Sequence, residues 1–308
     1  MNITLQQLRI FLSVVENKSL TKAAEALHLT QPGVSIQLKN LQDQFYAPLF
    51  EIVRKKIYLT EFGSEIVESC RKIFEEMDRI QQKNMEIKGL LGGKIRISSV
   101  STGKYIIPYI MADFMNQHPQ IEISLEVSNR GQVIRDLLDN TLDLALVSIL
   151  PENVAMEKFS LVKNTWVMAC SPKMKGIYQA ELKKGNWQNI PFILREKGSG
   201  TRTMMENYFS EHQINGGRKM EFSTNEGAKH AVMAGLGVSV LSVFSIAKEL
   251  KDNMIETLPA PGFPLEAEWN LIWLKSKKLS PASGAFLQWL KENHQSILQE
   301  HFAWVPKG

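Results

Sequence analysis

Residues 19–35 read Ser19-Leu20-Thr21-Lys22-Ala23-Ala24-Glu25-Ala26-Leu27-His28-Leu29-Thr30-Gln31-Pro32-Gly33-Val34-Ser35. The first nine are helix-compatible and alanine-rich, with small side chains that let a neighbouring helix come close. His28-Leu29-Thr30 makes a turn. Thr30 then offers an N-cap oxygen, and Pro32 falls in the first turn of a new helix, where its missing N–H costs nothing. That helix runs on to Gln42, with Val34, Leu38 and Leu41 facing one way. Gln31, Ser35, Gln37 and Lys39 are left for other partners.

Upstream, Thr4 caps a helix over residues 4–16 whose Leu5, Leu8, Phe11, Leu12 and Val15 recur at helical spacing. Downstream, after Ala47-Pro48, two β-prone runs (Leu49–Val53 and Ile57–Thr60) flank the basic tip Arg54-Lys55-Lys56 and read as a hairpin, or wing. Residues 1–60 carry seven basic side chains against four acidic, within a chain of 308 residues and formal charge +4. Helix, tight turn, polar-faced helix and basic hairpin together have the form that enters a DNA major groove. Thr30, Gln31, Pro32, Ser35 and Lys39 are the candidates to read or anchor DNA. Arg54, Lys55 and Lys56 are the candidates for a flanking phosphate or the minor groove.

Residues 61–88 are proline-free and helical in pattern, with isoleucine every seven residues at 66, 73, 80 and 87 and Cys70, Met77 and Asn84 in the companion positions. Such a stripe predicts a helix pair between two copies of the chain, the alternative being one amphipathic helix packed on its own domain. Leu90-Leu91-Gly92-Gly93 ends it. Beyond, strands and helices alternate: strands at 95–98, 121–127, 142–147, 165–170, 191–194, 220–222, 238–241 and 268–274, and helices at 106–118, 133–139, 201–212, 227–234 and 282–293. The alternation predicts an α/β layer with a parallel sheet. The tail repeats the first pattern, so the chain crosses to a second lobe and returns, leaving a cleft. The expected organisation is a winged helix-turn-helix (1–60), a dimerising linker helix and hinge (61–90) and a two-lobed domain (91–308), with lobe I at 91–162 and 267–308 and lobe II at 163–266.

Three loops join a strand end to a helix start, where ligands bind in open α/β sheets and where free N–H groups suit an anion. The first holds Ser99, Val100, Ser101 and Thr102. The second, Arg195–Arg202, holds Glu196, Ser199, Gly200, Thr201 and Arg202, the last a fixed charge for a carboxylate, sulfur oxyanion or phosphate. The third, Ser223–Glu226, holds Asn225. If they converge they define one polar pocket between lobes for a small anionic metabolite whose identity the sequence leaves open.

Other chemistries find little support. The six histidines lack metal-ligand spacing, Cys70 and Cys170 are too few for a zinc site, and no nucleophile elbow is present. Neither catalysis nor a resident cofactor is expected. No basic-apolar leader begins the chain and no run of ~18 apolar residues occurs, so a cytoplasmic protein without a membrane partner is expected. Two rivals stand beside a regulator: a solute-binding protein with an adaptor in its first ninety residues, and a DNA organiser with a vestigial pocket.

The segments Leu5-x-x-Leu8-x-x-Phe11, Ser19 through Ser35, Pro48-Leu49-Phe50-Glu51 and Leu59-Thr60-Glu61-Phe62-Gly63 resemble, in order and spacing, the LysR-type transcriptional regulators. The resemblance spans essentially the whole chain. It implies a winged helix-turn-helix, a dimerising linker helix, a periplasmic-binding-protein-like effector domain and a homotetramer built as a dimer of dimers, with RNA polymerase as a further candidate partner. Gly198–Arg202 and Ala234–Val238 look like the branch holding carbon-fixation and sulfur-metabolism regulators. Two departures stand out: Ile36 and Ile52 occupy positions where that family often has arginine.

Overall fold

The computed structural model describes residues 2–53, 56–87, 91–214 and 217–305. They form two compact units, Met1–Lys88 and Gly89–Gly308.

Helix α1 (Leu5–Asn17) opens on a capping box: the Thr4 hydroxyl accepts from the Gln7 N–H at 3.2 Å, and the Gln7 side chain accepts from the Thr4 N–H at 3.0 Å. Ser19 caps α2 (Leu20–Ala26) and Thr30 caps α3 (Gln31–Gln42). Between them His28 takes a left-handed φ of 54°, which turns the chain. Ala23 and Ala24 are buried where α2 meets its neighbours, and Phe11, Val14, Val34, Leu38, Leu41 and Leu49 complete the core. Strands β1 (Phe50–Val53) and β2 (Lys56–Leu59) pair antiparallel from Phe50↔Leu59 to Val53↔Lys56. The tip residues Arg54 and Lys55 lie outside the described residues, as does the side chain of Lys56.

Helix α4 (Glu61–Ile87) is seated by a close backbone approach. Thr60 Oγ1 donates to the Pro48 carbonyl at 2.6 Å and accepts from the Gly63 N–H at 2.9 Å. A Cβ on Gly63 would lie 1.8 Å from the Leu49 carbonyl oxygen, so only glycine fits. The heptad stripe then divides. Cys70 is buried with Val67 in the unit's own core, with Ile66 and Phe74 packed against it. Cys70 therefore cannot sit in a seam between copies. Ile73, Ile80 and Asn84 are exposed.

In the second unit β3 (Gly93–Val100) pairs parallel with β4 (Ile121–Ser128) and β5 (Leu144–Val147), with α5 (Ile107–Gln117) and α6 (Arg130–Leu138) as crossovers. The 15-residue β6 (Met156–Cys170) carries the chain into lobe II. There follow α7 (Pro172–Lys183), β7 (Phe192–Arg195), α8 (Gly200–Glu211), β8 (Lys219–Phe222), α9 (Asn225–Met233), β9 (Ser239–Ser242), α10 (Val243–Lys251) and β10 (Glu256–Thr257). Strand β11 (Leu265–Leu274) returns the chain antiparallel to β6, from Leu265↔Trp166 to Leu274↔Met156, and α11 (Pro281–His301) closes lobe I. The crossings expected at 163 and 267 fall inside these two strands.

The sheet is mixed rather than parallel. β11 runs antiparallel to β5 and β6, and β9 and β10 run antiparallel to β6, while β3 pairs parallel with β4 and β5; β7 and β8 pair parallel in a separate two-stranded sheet. The returning chain must reverse direction to re-enter lobe I, which sets that pairing. Lobe I is packed around Ile95, Ile97, Phe114, Trp269 and Phe286, and lobe II around Trp166, Phe192, Tyr208 and Val240. Beneath lobe I the buried Asp143 carboxylate accepts from the Arg96 N–H at 2.8 Å and pairs with Lys277 at 3.1 Å.

The Gly63 contact predicts a specific sensitivity. Gly63→Ala is expected to cost at least ~1–3 kcal/mol, the usual cost of overpacking. Denaturation of the intact chain followed by circular dichroism measures it, and an unchanged midpoint would contradict the close approach.

Candidate functional site: a polar helix face and a cleft between lobes

The two candidate surfaces lie in different units. In the first, Thr30, Gln31, Pro32, Ser35 and Lys39 are all exposed, while Val34, Leu38 and Leu41 hold α3 to its own core. The polar face is therefore presented outward. Ile36 shares that face and is 59% exposed.

In the second, a narrow cleft lies between the lobes. Its walls come from strand ends. At the end of β3, Val100, Ser101 and Thr102 face it, with the Ser101 hydroxyl bonded to the Ser128 carbonyl at 3.2 Å. After β4, Asn129 caps α6, and Arg130 gives Nε to the Ile149 carbonyl (3.0 Å) and Nη2 to that of Leu150 (2.9 Å). Burial lowers the Arg130 pKa and Glu152 partly offsets this; the guanidinium stays charged at neutral pH. Ser148 and Ile149 follow β5, and Trp166 lines the cleft from β6. The Trp166 indole N–H is buried without a hydrogen-bond partner.

Lobe II contributes Arg195, Ser199, Gly200 and Thr201. Arg195 is only 3% exposed and is held by the Glu196 carboxylate through Nε (2.8 Å) and Nη2 (3.0 Å). Its Nη1 reaches Asn225 Oδ1 at 3.5 Å, the limit of hydrogen bonding. Ser199 is the N-cap of α8 but makes no side-chain cap bond, so the first-turn N–H groups stay available at the cleft. The lining therefore offers hydroxyls, an indole N–H, helix N–H groups and guanidinium, with no carboxylate among them.

Four sequence candidates do not line the cleft. Ser99 is fully buried under the turn at Gly103, where an added Cβ would meet its Oγ at 2.1 Å. Glu196 and Asn225 support Arg195 instead. Arg202 is one helical step past Thr201 and points elsewhere: it donates to the Arg195 carbonyl at 2.9 Å and pairs with Glu206 (2.5 Å) and Glu221 (3.2 Å). It clamps the loop rather than facing a ligand. Conversely, sequence reasoning missed Asn129, Arg130, Ser148, Ile149 and Trp166, and it placed Arg195 in a candidate loop without singling it out. All but Trp166 sit at or just after the C-terminal end of a strand, and searching every such end would have found them.

Polar contacts also tie the lobes directly. The Gly131 N–H donates to the Gly198 carbonyl at 3.1 Å. On another edge the Tyr105 hydroxyl donates to Glu226, and Lys104 reaches the same carboxylate at 3.3 Å. Lys229 bridges Glu226 (2.9 Å) and Glu249 (2.8 Å). Burial opposes the charge on Glu226, but the Tyr105 and lysine bonds outweigh it and hold its pKa at about 2. Among the described residues no cluster could hold a metal, and no helix is long and apolar enough to cross a membrane.

Comparison with known proteins places both units. Residues 5–64 match the family model for bacterial regulatory helix-turn-helix proteins of the lysR family, and residues 88–295 match the LysR substrate binding domain. The chain is 36% identical to the HTH-type transcriptional activator CmpR of Synechocystis sp., across 96% of this chain and 97% of that protein. It is 37% identical to the RuBisCO operon transcriptional regulator of Allochromatium vinosum, across 94% and 96%. The Synechocystis CcmR regulatory domain, solved in complex with 2-PG, superposes with a TM-score of 0.59 at 28% identity, covering 66% of this chain and 97% of that one. The chain belongs to the LysR family of transcription regulators, a DNA-binding helix-turn-helix joined to a two-lobed effector-binding domain.

Proposed function

We propose that the protein regulates transcription of carbon-fixation genes in response to a small anion carrying a phosphate or carboxylate group, bound between its lobes. The observation that carries this reading is the cleft lining: hydroxyls, open helix N–H groups at the start of α8, the Arg130 guanidinium held on backbone carbonyls and the Arg195 guanidinium held by Glu196, with no carboxylate among the lining residues. Backbone N–H groups at a helix start and hydroxyls around them form a site for an oxyanion. The relatives support the choice of genes and ligand class, since one is named for the RuBisCO operon and another was solved with 2-PG.

The reading has no catalytic step and no resident cofactor. The protein acts on chromosomal DNA in the cytoplasm as a homodimer through α4, further paired into a tetramer, with RNA polymerase as its partner at the promoter. Among the described residues of the stripe, the exposed Ile73, Ile80 and Asn84 are available for that pairing, Cys70 being taken up by the core. The anion shifts the lobe arrangement only as far as it binds one arrangement better than the other.

Three outcomes test this. Calorimetry of the full chain with 2-PG is expected to show saturable binding, and Thr102→Val or Ser199→Ala to weaken it roughly tenfold to hundredfold, as for a lost hydrogen bond to a charged group. Unchanged affinity in both variants would reject the cleft as the site. Arg202→Ala is expected to lower the melting temperature while weakening 2-PG binding less than Thr102→Val does. For assembly, Ile73→Glu combined with Ile80→Glu should reduce the sedimenting species to a smaller oligomer with unchanged helix content; an unaltered sedimentation profile would move the interface elsewhere.

A further inference from the structure

Helix α3 advances about 100° per residue, so the direction of each side chain follows from the three that are buried. Val34, Leu38 and Leu41 point into the core, all at 2% exposure or less. Directly opposite their mean direction stands Ile36. Pro32 and Lys39 flank it one turn before and after, while Gln31 and Ser35 lie on the shoulder nearer the core. The most outward residue of the groove-facing helix is thus apolar and 59% exposed. A single exposed apolar residue needs no explanation on an ordinary surface. This one occupies the centre of the surface that a helix-turn-helix inserts into DNA, where polar or cationic side chains would gain most.

The major groove displays hydrogen-bonding edges on every base pair and one apolar group, the 5-methyl of thymine. We infer that Ile36 reads thymine: its side chain packs on a thymine 5-methyl in each half-site and sets sequence preference there by apolar contact. A branched aliphatic side chain cannot hydrogen-bond the N7 and O6 of guanine or the N7 and amino group of adenine, so the same contact disfavours a purine in that position on that strand. Gln31 and Ser35, on the shoulder, remain free to bond neighbouring base edges. This assignment rests on the DNA-binding role of α3 and adds to it the base recognised.

The test uses the full chain and a genomic fragment that it retards in a gel shift, narrowed by footprinting to the protected site. Each thymine of that site is replaced in turn by deoxyuridine, which removes the methyl and nothing else. At one thymine per half-site the replacement is expected to weaken wild-type binding about fourfold, and about fifteenfold when both are replaced, the effect of desolvating one methylene-sized group per contact. Ile36→Ala, a change at an exposed position to a stronger helix former, should keep the fold, checked by circular dichroism. It should bind the thymine and deoxyuridine sites alike at those positions. Deoxyuridine tolerated within twofold at every position would overturn the assignment. So would a methyl effect undiminished in Ile36→Ala, which would place the contact on another side chain. Failure to retard any fragment at low salt is a separate result and would reject the DNA-binding role itself.

Discussion

The antiparallel pairing of β6 with β11 is the constraint on which the effector-binding unit depends. The chain enters lobe II along β6 and leaves along β11, and both strands also serve as sheet members of the lobes they join. A change in lobe angle must therefore be absorbed within this pair, whose register is already interrupted between Glu268 and Asn270. Trp166 stands on β6, packs in the core of lobe II and lines the cleft. One strand thus carries hinge, core and ligand wall together.

The lobes also meet through polar contacts that need no ligand. Gly131 bonds Gly198 on one side, and Tyr105 and Lys104 share Glu226 on another. These contacts hold the observed lobe arrangement, and an anion could shift it only by binding one arrangement better than another. Partly exposed ion pairs of this kind contribute little each, typically about 0–1 kcal/mol, which suits a balance that a small metabolite can tip.

The helix-turn-helix was legible in the sequence because its determinants are local. Thr4, Ser19 and Thr30 all cap the helices they precede. The effector domain was legible in outline only. The first nine residues of β6 are polar and charged in part, and their partners, such as Trp273 opposite Glu157, lie more than a hundred residues away. Helix α7 buries only Tyr178 and leaves almost no periodic signal. Helix α10 continues the apolar run of β9 without a break, so periodicity cannot divide them. In the cleft, the Ser/Thr/Gly loops after β3 and β7 were visible by composition, whereas Asn129–Arg130 and Ser148–Ile149 are marked only by position. Arg202 illustrates the opposite error. A cation in a glycine-rich loop suggested a ligand contact, although Glu206 four residues on was a visible helical partner.

In the proposed regulator, the cleft and the DNA-reading helix report on each other through one equilibrium. Linkage makes that measurable in a single titration series: the affinity of the full chain for 2-PG, by calorimetry, free and saturated with operator duplex. The two affinities are expected to differ, and operator affinity with and without 2-PG to differ by the same factor. Identical anion affinity in the free and DNA-bound states, with tight binding in both, would show that the cleft holds a ligand without governing the DNA.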